Sequence, residues 1–207
     1  MVTLGIIGVV ASLTMPTLVQ DSRKKEASAR LKKFYSIFSQ AIIQSELDNG
    51  MSEDWSRADN LTDEDDDTAA SMNYDEAVRF WNKYFAPYIK TLRIEKGTGE
   101  DSGKALVYLA DGTSFSIWNG GCITMVFDTN ADKSPNKLGS DRFGFNFCHK
   151  KAEQTRYLGK NINFGPFGLN DVNSRKEALS LCEKSPANCG TLLIKYDNYE
   201  FKDDYPW

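Results

Sequence analysis

The sequence predicts an α+β protein, with a long N-terminal helix followed by a head built on an antiparallel β-sheet. Three observations lead there. The first fifty residues hold one helical pattern across an abrupt change in composition. Between Lys104 and Phe147 the apolar period drops to two, with Gly-containing turns at the breaks. Capped helical patterns return only in the connections around that stretch.

The helix comes first. Val2 to Val19, VTLGIIGVVASLTMPTLV, is eighteen residues without a charge. A bilayer core needs ~20 apolar residues at ~1.5 Å rise each, so this run is about the minimum for a span. From Gln20 the chain turns basic, QDSRKKEASARLKK, yet the helical pattern continues. Ala27, Leu31, Phe34, Tyr35, Phe38, Ala41, Ile42 and Ser45 fall three or four apart, on one stripe. Asn49-Gly50 is a helix stop. Residues 1–50 are therefore one helix, apolar all round over 1–19 and amphipathic over 20–50, and residues 51–207 are a globular head.

The charges near the span conflict with its setting. Arg23, Lys24, Lys25, Arg30, Lys32 and Lys33 all follow it, whereas Lys and Arg normally flank a span on the cytoplasmic side. Four cysteines, an even count with no C-x-x-C pair, instead suit an exported, disulfide-bonded head. A basic leader upstream of Met1 would remove the conflict. A signal-peptide core is the competing reading of the apolar run, but no basic n-region and no A-x-A site accompany it. A net charge of -4 and a pI near 5.2 argue against a nucleic-acid partner.

After the helix, Met51 to Asn73 is a polar connector carrying the acidic run Asp63, Glu64, Asp65, Asp66 and Asp67. The run reads either as a cation or basic-partner contact or as a solvated loop, since adjacent like charges repel. Asn73 to Lys90 reads as a second helix, with Asn73 as cap, Glu76 at the capping-box position and Pro87 near its end. Ala77, Val78, Trp81, Tyr84, Phe85 and Tyr88 give it an apolar face for the core. ALVYLADGTSFSIW is then two strands joined at Asp111-Gly112. A turn at Asn119-Gly120-Gly121 leads into the strand CITMVFD. RFGFNFCH, with Phe143, Phe145 and Phe147 at period two, is a further strand. His149, at its end beside two lysines, reads as a surface residue.

Between those last strands lies the pattern D-x-N-x-D-x-x-x-N-x-x-G-x-D, made by Asp128, Asn130, Asp132, Asn136, Gly139 and Asp141. Hard cations take six to eight oxygens from carboxylates, amides and carbonyls, so Asp128, Asn130, Asp132 and Asp141 are candidate Ca²⁺ ligands. The segment is not an EF-hand: Lys133 and Gly139 occupy positions where that loop needs Gly and Glu. A loop of Asx-turns, in which Asp and Asn cap their own backbone, explains the same residues. No nucleophile–base pair accompanies the carboxylates, and an enzymatic role is not expected. Cys122 and Cys148 bracket the loop at strand ends, where a bridge would close it.

GKNINFGPFGLN, 159–170, reads as irregular loop and lacks the frame of a phosphate cradle. Asn173 or Ser174 caps a short helix, SRKEALSLCEK. Cys182 and Cys189 flank a six-residue loop suited to a local disulfide. TLLIKY reads as a last strand, and the tail FKDDYPW docks on the head or on a neighbour.

VTLGIIGVVASLTMPTLV with its basic amphipathic continuation resembles the N-terminal helix of type IV pilins and type II secretion pseudopilins, Pro16 included. The cleavage-site Gly, the Phe that becomes the methylated mature N-terminus, and the Glu shortly after it are absent from this sequence. The resemblance places Met1 inside the mature family helix. It implies a sheet packed on the amphipathic half, burying Leu31, Phe34, Phe38 and Ile42. It also implies a single-pass subunit of a bacterial cytoplasmic membrane, head outside the cytoplasm, later extracted by assembly-platform proteins into a helical fibre in the periplasm or beyond. Leu4, Ile6, Ile7, Val9, Val10, Leu13 and Leu18 would then trade lipid for neighbouring helices, with Gly5 and Gly8 allowing close approach. The Asp/Asn segment resembles the pseudopilin stretch D-x-N-G-x-K-G-P-N-x-x-G-x-D-x-F, and the loop of this head region binds calcium in major pseudopilins. Here Ala131 and Ser134 replace its two glycines, which makes left-handed turns costlier. A short disulfide loop near the C-terminus also fits the family. The rival expectation is an anchored surface binding module or adhesin that never polymerises.

Overall fold

The computed structural model describes residues 2–56 and 67–207, with side chains placed from Leu18 onward except at 67–72, Glu100 and Asn119. Helix α1 runs Val2–Asn49. Its stripe is buried as the spacing predicts: Ala27, Leu31, Phe34, Phe38, Ala41, Ile42 and Ser45 are inaccessible, and Tyr35 packs partly against the core. Head cover begins at Ala27. Leu18 and Val19 are 66% and 51% exposed. Leu4, Gly5, Ile6, Ile7, Gly8, Val9, Val10, Leu13 and Pro16 lie outside the residues whose side chains are described. Among the described residues no helix is long and apolar enough to cross a membrane.

The sheet has six strands in the order of the chain, each antiparallel to the next. They are β1 Thr91–Lys96, β2 Ala105–Leu109, β3 Ser114–Asn119, β4 Ile123–Asp128, β5 Arg142–Phe147 and β6 Phe164–Pro166. The four central strands are those the sequence predicts, and Gly112 takes φ 80° in the expected β2–β3 turn. Both edges are additions. β1 shows no apolar alternation because most of it is exposed. β6 lies inside the segment 159–170 that reads as irregular; its Pro166 is tolerated because an edge strand has no further ladder bond to make.

One face of the sheet packs on α1. Phe34 stacks on Phe127 with ring centroids 4.1 Å apart and meets the edge of Phe145 at 5.2 Å. Phe38 stacks on Phe85 and Phe164 at 4.6 and 4.7 Å. Phe143, Phe145 and Phe147 are fully buried, as their period-two spacing requires. Between them Gly144 faces the other way, under the Phe167 ring, where a Cβ would sit 2.3 Å from ring carbon.

Several connections depart from expectation. Helix α2 runs Asp67–Tyr84, so Asn73 is a buried residue within it and not its cap; Asp63, Glu64, Asp65 and Asp66 lie outside the described residues. Its apolar face is the predicted one, with Ala77, Trp81, Tyr84 and Phe85 buried. It stops before Pro87, and Ala86 N–H already bonds back to Trp81 C=O, five residues away. Trp55, in the polar connector, is also core: it stacks on Tyr84 at 4.3 Å. A short helix α3, Lys151–Tyr157, follows β5, and α4, Arg175–Lys184, is capped by Ser174 accepting from Glu177 N–H.

TLLIKY is not a strand. One helical turn, α5 Cys189–Thr191, leads into a π-helical turn at Leu192–Tyr196. Leu192 and Leu193 are adjacent and both fully buried, which a strand with one buried face cannot achieve. His149 is buried too, against Phe147, Phe80 and Trp55, which corrects its reading as a surface residue. The disulfides are Cys122–Cys148, stapling the open end of the β4–β5 hairpin, and Cys182–Cys189, tying α4 to the turn after it.

Phe34 joins the helix to four strands at once, through Phe115, Phe127, Phe145 and Phe164. Phe34→Ala is expected to destabilise the head by about 3–5 kcal/mol in chemical denaturation followed by tryptophan fluorescence. A loss below ~1 kcal/mol would mean that α1 is not the spine of the core.

Candidate functional site

The Asp/Asn segment is the β4–β5 connection, at the hairpin end opposite the Cys122–Cys148 staple. Asp128 ends β4 and Asp141 directly precedes β5, so both carboxylates are carried by the sheet and held close to each other. Both are buried. Asp141 gathers the loop: its carboxylate accepts from Lys137 N–H at 2.6 Å, Asn136 N–H at 2.9 Å and the Asn130 side-chain amide at 3.1 Å. Its carbonyl accepts from Thr129 N–H at 2.8 Å. Asp128 accepts from Asn130 N–H at 3.0 Å, the Asx-turn that the sequence suggests.

Asn136 fills the centre. With its amide nitrogen turned inward it donates to the Ala131 carbonyl at 2.9 Å, the Lys133 carbonyl at 3.0 Å and the Asp128 carboxylate at 3.2 Å. Which amide end faces inward is set by what it meets there. The expected ligand set is therefore divided. Asp128 belongs to this centre. Asn130 and Asp141 form a neighbouring hydrogen-bonded pair. Asp132 turns away, accepting from Tyr108 O–H at 2.9 Å and lying 3.6 Å from Arg93. Asn136 and the carbonyls of Ala131 and Lys133 were not among the expected ligands; the second Asn of the pattern was the available signal. Among the described residues no group of three or more His, Cys, Asp or Glu is placed to hold a metal.

The left-handed turns that glycine would make easily are made here without it. Ala131 takes φ 56° and Asn136 φ 50°, and Gly139 supplies φ 80°. Ala131 thus carries a strain that the Asp128 and Asn136 contacts hold in place. The loop is also moored at both sides. Arg30 of α1 donates to the Thr129 carbonyl, and Tyr205 of the C-terminal tail donates to the Gly139 carbonyl at 2.5 Å. The tail is itself clamped by Arg175, which bridges Asp197 and Asp204. The Asp204 carboxyl is held below its usual range by that guanidinium.

Burial pushes the Asp128 carboxyl up to about 7; the Asn130 N–H pulls it down, and nearby Asp141 raises it again. Arg142, 3.6 Å away, offsets only part of this.

The fold so defined is an α+β head seated on the amphipathic half of a helix that runs beyond it. The chain belongs to a family of unknown function, DUF6613, which matches residues 17–207. No curated protein and no solved structure matches it.

Because Asp128 binds its proton more tightly when folded, its contribution to stability is present below about pH 4 and lost as pH rises to about 7. In calcium-free buffer, Asp128→Asn should therefore gain on the native chain across that interval, by an order of 1–3 kcal/mol, in denaturation series run at several pH values. A stability difference that stays constant with pH would mean that Asp128 is not the group whose ionisation is opposed.

Proposed function

We propose that the chain is a structural subunit of a pilus or secretion pseudopilus, anchored in a membrane by the apolar half of α1 before it joins a helical fibre. The observation that supports this most is how α1 leaves the head. One helix supplies the spine of the core from Ala27 to Ser45 and continues past it with Leu18 and Val19 exposed. A head that needed α1 only for its core would gain nothing from that extension. The run Val2 to Val19 is uncharged and about as long as a span requires. Leu4, Ile6, Ile7, Val9, Val10, Leu13 and Leu18 pack first against lipid and then against neighbouring subunits, with Gly5 and Gly8 at the closest approach. The partners are other subunits of this kind, membrane lipid and an assembly platform, and the work is association without catalysis. The head stands outside the cytoplasm, which suits its two disulfides.

Within this reading the Asp/Asn loop gives the head a fixed outer surface. A calcium ion is the cofactor proposed for it: Asp128, beside the carbonyls of Ala131 and Lys133, would hold it in place of the Asn136 amide, and the ion would add positive charge to the part that Arg142 supplies.

Two measurements test these statements. The native protein is expected in the sheared surface fraction as polymer, read by quantifying it in sheared and membrane fractions and by electron microscopy of the sheared material. Recovery only in membranes would point instead to an anchored binding module that does not polymerise. For the ion, Asp128→Ala should lower the melting temperature more in calcium than in EDTA, whereas equal losses would leave the loop a structural turn alone.

A further inference from the structure

We infer that the base of the head, a collar of Arg23, Lys24 and Lys25 on α1 with Lys133 and Trp207 beside it, docks on the anionic phospholipid headgroups of the leaflet from which the head emerges. The inference rests on the anchored reading of α1 and adds a partner surface to it.

The first argument is charge. Between Gln20 and Phe34 six basic residues face two acidic ones, in a chain of net charge -4. Part of this basic stretch is used inside the protein. Arg30 pairs with Glu26 at 2.7 Å and donates to Thr129, and Lys33 pairs with Asp111 at 2.7 Å. Arg23, Lys24, Lys25 and Lys133 meet no carboxylate in ion-pair range among the described residues. Arg23, Lys25 and Lys133 are exposed and Lys24 partly so.

The second argument is height. At about 1.5 Å per residue, Arg23 to Lys25 stand about 6–9 Å along α1 beyond Val19, the last residue of the apolar run. The interfacial layer on each side of a ~30 Å hydrocarbon core is about 5–8 Å thick. The three side chains therefore reach phosphate level when the apolar run is immersed. Lys32, about 20 Å beyond Val19, is out of range, and its ammonium lies over the Tyr199 ring instead.

The third argument is the company these cations keep. Lys24 lies over the Trp207 ring at 5.6 Å, and Trp207 meets the edge of Phe201 at 4.8 Å. Two clefts flank α1 at this level. One, of about 210 Å³, is lined by Arg23, Arg30, Lys133 and Trp207, with Glu26 and Asp141 already engaged. The other, of about 370 Å³, is lined by Lys24, Lys25, Tyr199 and Phe201, together with the carboxylates of Asp21 and Glu200. Tryptophan beside Lys and Arg at the end of an apolar helix is the chemistry of a membrane interface. It also gives a role to the basic stretch that sits on the unexpected side of the span.

The test dilutes detergent-solubilised full chain into an equal mixture of neutral phosphatidylcholine vesicles and vesicles about one third phosphatidylglycerol, separable by density. At low salt the native chain should favour the anionic vesicles by roughly 100-fold, about 5-fold for each of three cations at the surface. The preference should collapse toward unity in ~1 M salt. Arg23→Gln, Lys24→Gln and Lys25→Gln combined should lose nearly all of that preference; none of the three is buried, so the core stays intact, which the unchanged melting temperature would verify. Equal loading of both vesicles by the native chain would overturn the collar and leave the anchor standing. Failure to enter either would overturn the anchor itself, and the collar with it.

Discussion

The contact between one stripe of α1 and one face of the sheet is the interaction on which the rest of this molecule depends. The stripe is aromatic at its centre, and Phe34 and Phe38 insert among rings from β3, β4, β5, β6 and α2. Each such ring buries a large apolar area, and neighbouring rings add geometric preference to the burial. Since the sheet is a simple up-and-down meander, its strands need only local turns to find their order. What they cannot find locally is a surface to cover them. The helix provides it, and α2 covers the remainder of the same face.

That arrangement fixes where the polar elaboration of the head can go. The β4–β5 connection leaves the sheet beside α1, so Arg30 reaches its first carbonyl while Tyr205 of the tail reaches its last turn. Asp141, directly before β5, collects three hydrogen-bond donors and so sets the loop's path. Asp128 is held in a setting that resists its charge. The loop therefore has a definite shape, and its buried Asp128 is only partly compensated by Arg142, which is why protonation relieves it.

The helix is also what gives the head a direction. Its core half ends near Ala27, its basic turn follows toward the N-terminus, and its exposed apolar residues begin at Val19. The order is core, cations, apolar run, and it is the order that the proposed seating on a charged interface requires. The C-terminal tail, clamped by Arg175, brings aromatic rings to the same level.

The sequence by itself determined the elements whose period is set by one neighbour. The stripe on α1, the face of α2 and the four central strands were legible because each alternation reports a single buried face, whereas the choice of Ser174 over Asn173 as the α4 cap came from the structure. Both disulfide pairings agree with what spacing suggested. What only the tertiary structure decided was whatever depends on two or more neighbours at once. β1 and β6 exist because the sheet offers them edges, although neither segment alternates. Leu192 and Leu193 became helical because both had to be buried, and His149 went inward because α2 and Trp55 close over the end of β5. In the loop, the spacing of Asp and Asn identified the right segment but not the partition of its ligands. The direction in which Asp132 and Asn136 point is fixed by Ala131 and Asn136 turning left-handed, a choice made by the contacts of the folded head and not by the residues themselves.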